Sequence, residues 1–359
     1  VANCFYESIP CIFISGQINK KFLSPHKSIR QVGFQETDIV SIVKPITKYA
    51  KMIMDPNKIM YELEKAYSIC NSGRKGPVFL DIPLDVQKAN IKTKDHKGVQ
   101  KKFDGQVFDL KKVRLSIKKY LKDLKKSKRP VFLIGGGAQL SNCSSKILEI
   151  AKALNVPCMP TWNGIDTVTS DFELYGGRVG TYGGPGRNFG IQNSDLLIAI
   201  GSRISGRITG GRVKTFAREA KKYLIDIDHA LLKKDLQQVV FDENLYCDAK
   251  IFIKKLLNFV KSQNFNQNDQ QKNWLKQCLE WKTKYDPVKK EFYNKKNYVH
   301  PYVFIRTLSK KMKSNSVFVA DCGGNIIVCN HSFETKKALD PVIFVEINLY
   351  PFLDNLLTI

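Results

Sequence analysis

The chain has 359 residues, which is too long for one ordinary core and fits two or three domains. Its net charge of +25 is spread along the chain and not gathered into an aromatic-interleaved patch, so the charge indicates a solvated surface and nucleic-acid binding is not expected. No apolar run approaches the length of a membrane span, and residues 1–16 lack the features of a signal peptide. Nine scattered cysteines without a CxxC pair argue against a disulfide framework or a zinc site. We therefore expect a cytoplasmic protein without a bound metal in this chain.

Short, continuously apolar runs that end in Gly, Asp or Pro recur along the sequence. They lie at residues 11–16, 77–83, 130–137, 195–203, 222–228 and 316–324. Continuous rather than alternating apolar runs are typical of parallel strands that are buried on both faces. These runs therefore predict parallel sheets.

Helical stretches lie between the predicted strands. Asp55 followed by Pro56 predicts a capped helix that ends near Gly73, and Ser141 is predicted to cap a second helix over residues 144–155. The lysine-rich run 118–129 predicts a helix with a solvated face that leads into a strand. The alternation predicts an α/β chain of βαβ units, with parallel sheets flanked by helices.

Two polar stretches are predicted to be connectors. Residues 88–105 are charged and poor in apolar side chains, and residues 262–272 are rich in amides and not expected to pack. The predicted domains are therefore residues 1–87, 105–262 and 273–359.

The glycines of the middle region indicate a ligand site. The strand at 130–134 runs into Gly135-Gly136-Gly137, and a glycine turn before a helix lets backbone N–H groups approach a phosphate. The alternative is a plain tight turn, because the segment is not GxGxxG and no acidic residue follows about 20 residues later. Residues 176–190 are also dense in glycine, which suits either a loop that follows a ligand or a surface loop.

Charged residues follow two of the predicted strands of this region. Arg203 and Arg207 come just after the strand at 195–200, where ligands of open α/β sheets lie, and they suggest a diphosphate or carboxylate partner. Asp226 and Asp228 end the next strand. An acidic residue there can hold an adenosine hydroxyl or simply cap the loop.

Taken in order, these segments resemble the acetolactate synthase large subunit family of thiamine diphosphate enzymes from residue 1 to about 337. The motifs that carry the resemblance are SGQ at 15–17, GFQETDIV at 33–40, KPITKYA at 44–50, SGRKGPVFLDIPLDVQ at 72–87, GSRISGRITG at 201–210, LIDID at 224–228 and DCGGN at 321–325. The resemblance implies that residues 1–87 are the end of a pyrimidine-binding domain, 105–262 a central FAD-binding or nucleotide-binding-like domain, and 273–359 the start of a diphosphate-binding domain.

The resemblance also implies site residues. In this family FAD lies in the central domain, and thiamine diphosphate with Mg²⁺ lies between domains of two subunits, which implies a homo-oligomer. Phe34 and Gln35 match positions that face the substrate channel, although Phe34 could instead be a core aromatic. The positions implied to bind cofactors are Arg74, Gly136, Gly137, Thr161, Trp162, Asn163, Gly164, Gly201, Ser202, Arg203, Ile204, Ser205, Asp226 and Ile227 for FAD, and Gly323, Gly324 and Asn325 for thiamine diphosphate.

The implied function is that of a carboligase or decarboxylase acting on 2-oxo acids. The family's catalytic glutamate lies upstream of residue 1, and its magnesium-binding Gly-Asp-Gly…Asn motif lies downstream of residue 337. We therefore expect no catalytic residue in this chain and no activity from it alone. Leu84, Ser205 and Gly206 depart from the acetolactate synthase pattern, which makes another 2-oxo acid or an aldehyde acceptor plausible.

Two alternatives remain at the level of sequence. One is an FAD-binding or nucleotide-binding module without thiamine chemistry. The other concerns the apolar tail after residue 337, which indicates a shifted reading frame or gene-model end, or else a genuine C-terminal strand and helix.

Overall fold

The computed structural model describes residues 1–25, 28–91, 99, 106–181, 183–263, 265, 267–313, 316–320, 323–336 and 342–344. The chain divides into two compact units, Val1–Val107 and Phe108–Ile359. Within the described ranges, no helix combines the length and apolar character needed to cross a membrane. The prediction that 88–105 form a linker falls mostly outside these ranges, and so does the tail after 337 apart from one short strand.

The first unit contains a small parallel sheet. Its elements are α1 (Ala2–Tyr6), β1 (Ile12–Gln17), α2 (Ile39–Val43), β2 (Tyr49–Met52), α3 (Ile59–Asn71), β3 (Val78–Pro83) and α4 (Leu84–Gln87). The strands lie in the order β1-β3-β2, so the most apolar strand is central. Ala66 and Cys70 of α3 pack on Val78 and Leu80 of β3 to form the core of this unit.

The capped helix predicted after Asp55 is confirmed. The Asp55 carboxylate accepts the N–H of Asn57 at 3.0 Å, and Pro56 occupies the first helical position. The first turn, Pro56–Lys58, is a 3-10 helix that continues into α3. The helix ends at Asn71, just before Gly73 takes a φ of +54°.

The second unit is built around a five-stranded parallel sheet. Its elements are α5 (Leu110–Lys126), β4 (Pro130–Ile134), α6 (Gly136–Leu140), α7 (Ser144–Leu154), β5 (Cys158–Pro160), α8 (Pro185–Gln192), β6 (Leu196–Ile200), α9 (Gly206–Thr209), β7 (Lys221–Asp226), β8 (Glu243–Tyr246), α10 (Ala249–Lys261), α11 (Asp269–Lys284), α12 (Pro301–Lys311), β9 (Phe318–Ala320), α13 (Gly324–Ser332) and β10 (Val342–Phe344). The sheet order is β5-β4-β6-β7-β8, and β9 pairs with β10 in a separate parallel pair.

The central strands β4 and β6 are buried on both faces, which confirms the two-sided burial inferred from their composition. Phe132 and Ile134 point into a core shared with α5, α7 and α10. Val131 and Leu133 point into a second core shared with α8 and α11. The sheet therefore lies between two helical layers, as expected for an α/β fold.

The predicted lysine-rich helix is also confirmed. It is α5, which begins after Asp109, whose carboxylate accepts the N–H groups of Lys111 and Lys112. Its buried residues form one apolar stripe at Val113, Ile117, Tyr120, Leu121 and Leu124. The lysines lie on the opposite, solvated side because an amphipathic helix buries only one face.

The prediction that Ser141 caps the second helix is wrong. The chain first forms the short helix α6 directly after β4, and Ser141 ends that helix, with its hydroxyl donating to the Ala138 carbonyl at 2.9 Å. Asn142 then takes a φ of +54°, and α7 begins at Ser144. A glycine turn that continues at once into helical backbone was not evident from the sequence.

The expectation that residues 262–272 do not pack is wrong for their second half. Asn268 and Gln271 form a reciprocal capping box at the start of α11. Gln271 is buried, and its amide donates to the carbonyls of Leu124 and Ser127 at 2.7 and 2.9 Å. The amides pack because they satisfy the carbonyl groups left over at the end of α5. The domain boundary drawn at this segment stays a prediction.

Candidate functional site

The carboxyl edge of the five-stranded sheet gathers most of the predicted FAD residues. In a sheet of this order, ligands bind where the chain direction of the connections reverses, which is between β4 and β6. Backbone hydrogen bonds join the loops that leave four neighbouring strands there. They run from Thr161 to Ile134 (2.8 Å), from Gly135 to Ile200 (2.9 Å) and from Gly201 to Ile225 (2.9 Å).

The glycine turn after β4 serves loop packing. A Cβ on Gly135 would lie 2.1 Å from the carbonyl oxygen of Gly201, and the N–H of Gly137 donates to that same oxygen at 3.0 Å. The N–H groups of Gly135 and Gly137 are therefore engaged within the protein. This geometry favours the tight-turn alternative over a turn whose N–H groups all face a phosphate.

The loop after β5 supplies a second predicted segment, Thr161 to Gly164. Trp162–Gly164 is a short 3-10 helix, and a Cβ on Gly164 would lie 2.6 Å from the carbonyl oxygen of Ile134. Thr161, Trp162 and Gly164 are buried, whereas Asn163 is exposed. Asn163 therefore presents the accessible side chain of this segment.

The loop after β6 has a strained backbone. Gly201 has a φ of +59°, and Ile204 has a φ of +49°, a conformation that a β-branched residue rarely adopts. Ser202 and Ile204 are buried, Ser205 is half-buried, and Arg203 is exposed at the edge of the sheet. The chain turns here so that buried and exposed residues alternate, and Arg203 is the exposed residue between two buried ones.

A second exposed arginine follows. The guanidinium carbon of Arg207 lies 5.3 Å from the ring centroid of Trp162, within the range of a cation–π contact. This contact links the loop after β5 with the loop after β6. Two arginines thus lie at this edge.

The acidic residues after β7 hold their own loop. The Asp226 carboxylate accepts the N–H of Asp228 at 2.9 Å, and the Asp228 carboxylate accepts the N–H of Ala230 at 3.0 Å. Asp226 and Ile227 are half-buried at the end of the strand. The loop-cap role considered for them is therefore present.

The glycine-rich segment 176–190 is fixed by side-chain contacts. The Asn188 amide bonds both the N–H and the carbonyl of Gly180, at 3.0 and 2.9 Å, and the Thr181 N–H donates to the Arg207 carbonyl at 2.6 Å. A cavity of about 90 Å³ lies between this segment, α8 and residues 208–210. The described residues of this segment are thus held beside the carboxyl edge of the sheet by hydrogen bonds.

The predicted channel residues belong to the first unit. Phe34 is 85% exposed, so the core-aromatic alternative is wrong, and Gln35 has a φ of +67°. The Glu36 carboxylate accepts N–H groups from Ser24 (2.6 Å) and Val32 (2.8 Å), and these backbone hydrogen bonds lower its pKa. Our sequence analysis missed this role of Glu36, which holds the exposed loop in shape.

Arg74, the remaining predicted FAD contact, lies in the first unit. Its Nε donates to the hydroxyl of Ser8 at 2.9 Å. The gathering of FAD residues described above concerns the second unit only, so the role of Arg74 stays a prediction.

The predicted thiamine diphosphate residues lie at the start of α13. Gly323 has a φ of +79° and precedes the helix, and Gly324 and Asn325 are its first residues. All three are exposed, and a Cβ on either glycine would meet nothing within 4 Å. Across the residues that can be described, no group of three or more His, Cys, Asp or Glu side chains could hold a metal ion.

Comparison with known proteins decides the family. Residues 117–256 match the family model described as "Thiamine pyrophosphate enzyme, central domain". This stretch belongs to that domain family. The match covers β4 to β8 and the first part of α10. The resemblance to the thiamine enzyme family and the α/β fold expected from the sequence are confirmed, and the alternative of an FAD-binding or nucleotide-binding module without thiamine chemistry is not favoured.

Relatives named acetolactate synthase extend the similarity over most of the chain. The chain is 32% identical over 344 residues to a "Probable acetolactate synthase large subunit" of Methanocaldococcus jannaschii, covering 94% of this chain and 55% of the relative. It is 31% identical over 293 residues to the protein of Cyanidium caldarium (79% and 48%) and 30% identical over 335 residues to that of Corynebacterium glutamicum (90% and 49%). The chain spans about half the length of these curated relatives.

Proposed function

We propose that this chain is part of a thiamine diphosphate-dependent carboligase or decarboxylase that acts on 2-oxo acids. The observation that carries the proposal is the similarity to acetolactate synthase large subunits along 94% of the chain. Bound thiamine diphosphate with Mg²⁺ supplies the electron sink for decarboxylation of a 2-oxo acid. In this chain, Gly323, Gly324 and Asn325 would contact its diphosphate. A true acetolactate synthase would serve branched-chain amino-acid biosynthesis.

We further propose that the central domain binds FAD at the carboxyl edge of its sheet. The fit is supported by the convergence of the loops after β4, β5, β6 and β7, and by the exposed arginines Arg203 and Arg207 at that edge. The N–H groups of Gly135 and Gly137 already donate to the carbonyls of Ile200 and Gly201. The diphosphate contacts would therefore come from the loop 201–205, which includes Arg203. Asp226 would accept from an adenosine hydroxyl.

The remaining assignments follow from the same proposal. Phe34 and Gln35, on the loop that Glu36 holds, would face the substrate, and Phe34 offers an exposed apolar surface for a small 2-oxo acid. The protein would work as a homo-oligomer in the cytoplasm, without nucleic-acid or membrane partners. Leu84 is 39% exposed, so an apolar side chain would line any channel at that position.

The FAD assignment can be tested by calorimetric titration of the purified chain with FAD, together with flavin absorbance after reconstitution. Arg203→Ala should weaken binding roughly 10- to 100-fold, the usual effect of losing a hydrogen bond to a charged group. Arg218→Ala, which removes another exposed arginine of the same unit, is the matched control and should leave the affinity unchanged. Absence of both flavin absorbance and binding heat for the wild-type chain would refute the assignment.

The thiamine assignment needs a separate test. We expect DNA on the two sides of this reading frame to encode the glutamate-bearing half domain upstream and a Gly-Asp-Gly…Asn motif downstream. If neither is encoded in any frame, the carboligase proposal falls. The purified chain itself should show no thiamine-dependent turnover of pyruvate, and a measurable rate would contradict the expectation that these 359 residues contain no catalytic residue.

A further inference from the structure

Arg178 is a buried arginine of the glycine-rich segment that our sequence analysis did not single out. Its side chain is 2% exposed, and it is the largest fully buried side chain among the described residues. Its Nη1 donates to the carbonyl of Asn330 at 2.6 Å, and its Nη2 donates to the carbonyl of Phe333. Both acceptors lie at the carboxyl end of α13.

The electrostatics of this contact are specific to a helix end. Burial lowers the pKa of Arg178, since a charged guanidinium loses its hydration, and the nearby Arg187 and Arg306 lower it further. The carboxyl end of a helix carries about half a negative charge on its unsatisfied carbonyl groups, which compensates a cation there. The carbonyl groups at the end of α13 therefore stabilise the charged Arg178 side chain in its buried position.

A second clamp holds the same helix end. Arg306 of α12 donates from its Nε to the carbonyl of Ser332 at 2.8 Å. It is itself held by ion pairs with Asp286 at 3.0 Å and Glu334 at 3.2 Å. Two guanidinium groups thus bind the last carbonyls of α13 from two different segments of the second unit.

The chain after α13 is joined to the loop that follows β5. Ser170 and Thr335 exchange backbone and side-chain hydrogen bonds, with the Ser170 N–H donating to the Thr335 carbonyl at 2.8 Å and the Thr335 N–H to the Ser170 hydroxyl at 3.0 Å. This loop also contains Thr161 to Gly164. The carboxyl end of α13 is therefore anchored to the same domain that carries the proposed FAD site.

The opposite end of α13 carries the proposed diphosphate contacts. Gly323, Gly324 and Asn325 are exposed, and a Cβ added to either glycine would meet no atom of the described residues within 4 Å. A helix of nine residues is a rigid rod of about 13 Å, so its anchored end sets the position of its free end. We propose that Arg178 is a positioning residue, which holds α13 on the central domain and thereby places the Gly323–Asn325 loop. The functional part of this inference rests on the proposed thiamine site.

Hydrogen exchange measured by mass spectrometry on the purified chain tests the inference without any cofactor. In Arg178→Met, the amides of residues 328–332 should exchange roughly 10- to 100-fold faster, because the loss of two charged hydrogen bonds releases the helix end. Peptides from α10 should keep their wild-type rates. Arg178→Lys, which keeps the charge but not the forked donor, should give an intermediate rate.

Arg187→Met is the matched control. Arg187 is also a buried arginine of the glycine-rich segment, with 6% exposure, but its Nη1 donates to Gly183 within that segment. Its loss should leave the α13 amides unchanged. Equal exchange of α13 in the two methionine variants, or no change in Arg178→Met, would overturn the inference. If Arg178→Met does not fold, the comparison of Arg178→Lys with Arg187→Lys decides by the same criterion.

Failure of the proposed function is recognised by a different measurement. The complete protein of which this chain is proposed to be a part can be titrated with thiamine diphosphate and Mg²⁺. If the cofactor does not bind, the proposed function is refuted. The exchange rates of α13 would still decide whether Arg178 positions the helix.

Discussion

The contact between the loops after β4 and β6, at Gly135 and Gly201, allows a quantitative test of loop packing at the candidate cofactor edge. In Gly135→Ala the new Cβ would lie 2.1 Å from the carbonyl oxygen of Gly201, and ordinary contact begins at 3.4 Å. The obstacle is backbone on the neighbouring strand's loop, so no side chain can rotate away. Overpacking of this kind costs about 3 kcal/mol at the upper end of its usual range. Alanine recovers about 0.7 kcal/mol of that through the unfolded chain, which leaves a net loss of about 2 kcal/mol.

Gly206→Ala is the matched control. Gly206 begins α9, and a methyl group added to it would meet no atom within 4 Å, so the same substitution should be neutral or stabilising by up to about 1 kcal/mol. Both glycines follow strands of the same sheet, at its carboxyl edge. The comparison therefore separates loop packing from the general effect of replacing glycine.

Urea unfolding followed by tryptophan fluorescence measures the stability of the second unit of the chain, which contains both glycines. All three tryptophans, Trp162, Trp274 and Trp281, belong to the second unit. With a slope of about 3 kcal/mol per molar urea, the midpoint of Gly135→Ala should fall by about 0.7 M. A midpoint equal to or above that of Gly206→Ala would show that the two loops can separate freely, and the packing argument would be refuted.

Three further substitutions test other contacts. Gln271→Ala should destabilise the second unit by about 2 kcal/mol, since it removes the side-chain donor to the buried Leu124 carbonyl, one of the two donors to the Ser127 carbonyl, and half of the capping box. Gln277→Ala, which loses one long hydrogen bond, should cost less than about 0.5 kcal/mol in the same urea assay. Burial raises the pKa of Asp286, but its hydrogen bonds and ion pair with Arg306 outweigh burial and lower the pKa overall. The ionised Asp286 carboxylate therefore stabilises the folded chain above the unfolded pKa of about 3.9, and this stabilisation is lost as the pH falls through the lowered pKa of the folded state. The urea midpoints of wild type and Asp286→Asn should stay apart at pH 7 and converge as the pH falls below about 4. Glu36→Gln should speed hydrogen exchange of residues 32–36 without shifting the tryptophan-detected midpoint, and unchanged exchange would contradict the role given to that carboxylate.

The amino-acid sequence by itself determined the central strands. β3, β4 and β6 are buried on both faces, so nearly every residue in them is apolar and the run stands out from its surroundings. The amphipathic pattern of α5 and the cap at Asp55 were equally visible, because each depends on neighbours close in the chain. The family could also be recognised, since its motifs keep their order.

Three edge strands were not predicted in this way, although the edge strand β1 was, from the apolar run at residues 11–16. β2, β5 and β8 lie at the edges of their sheets. β5 contains only three residues and ends in Pro160, and β8 begins with Glu243 and is only partly buried. An edge strand needs a partner on one side only, so it tolerates proline and charge, and its sequence carries little signal.

Long-range contacts were decided by the tertiary structure alone. Nothing near Arg178 in the sequence indicates that it binds carbonyls more than 150 residues away, and nothing near Gln271 indicates the end of α5. The glycines at 135 and 201 suggested a ligand, yet a Cβ on Gly135 would meet the Gly201 carbonyl, and a Cβ on Gly201 would meet the backbone of Gly137 and Ala138. Local patterns specify which elements form, but the partner of a buried polar group or of a bare glycine backbone depends on which elements the fold brings together.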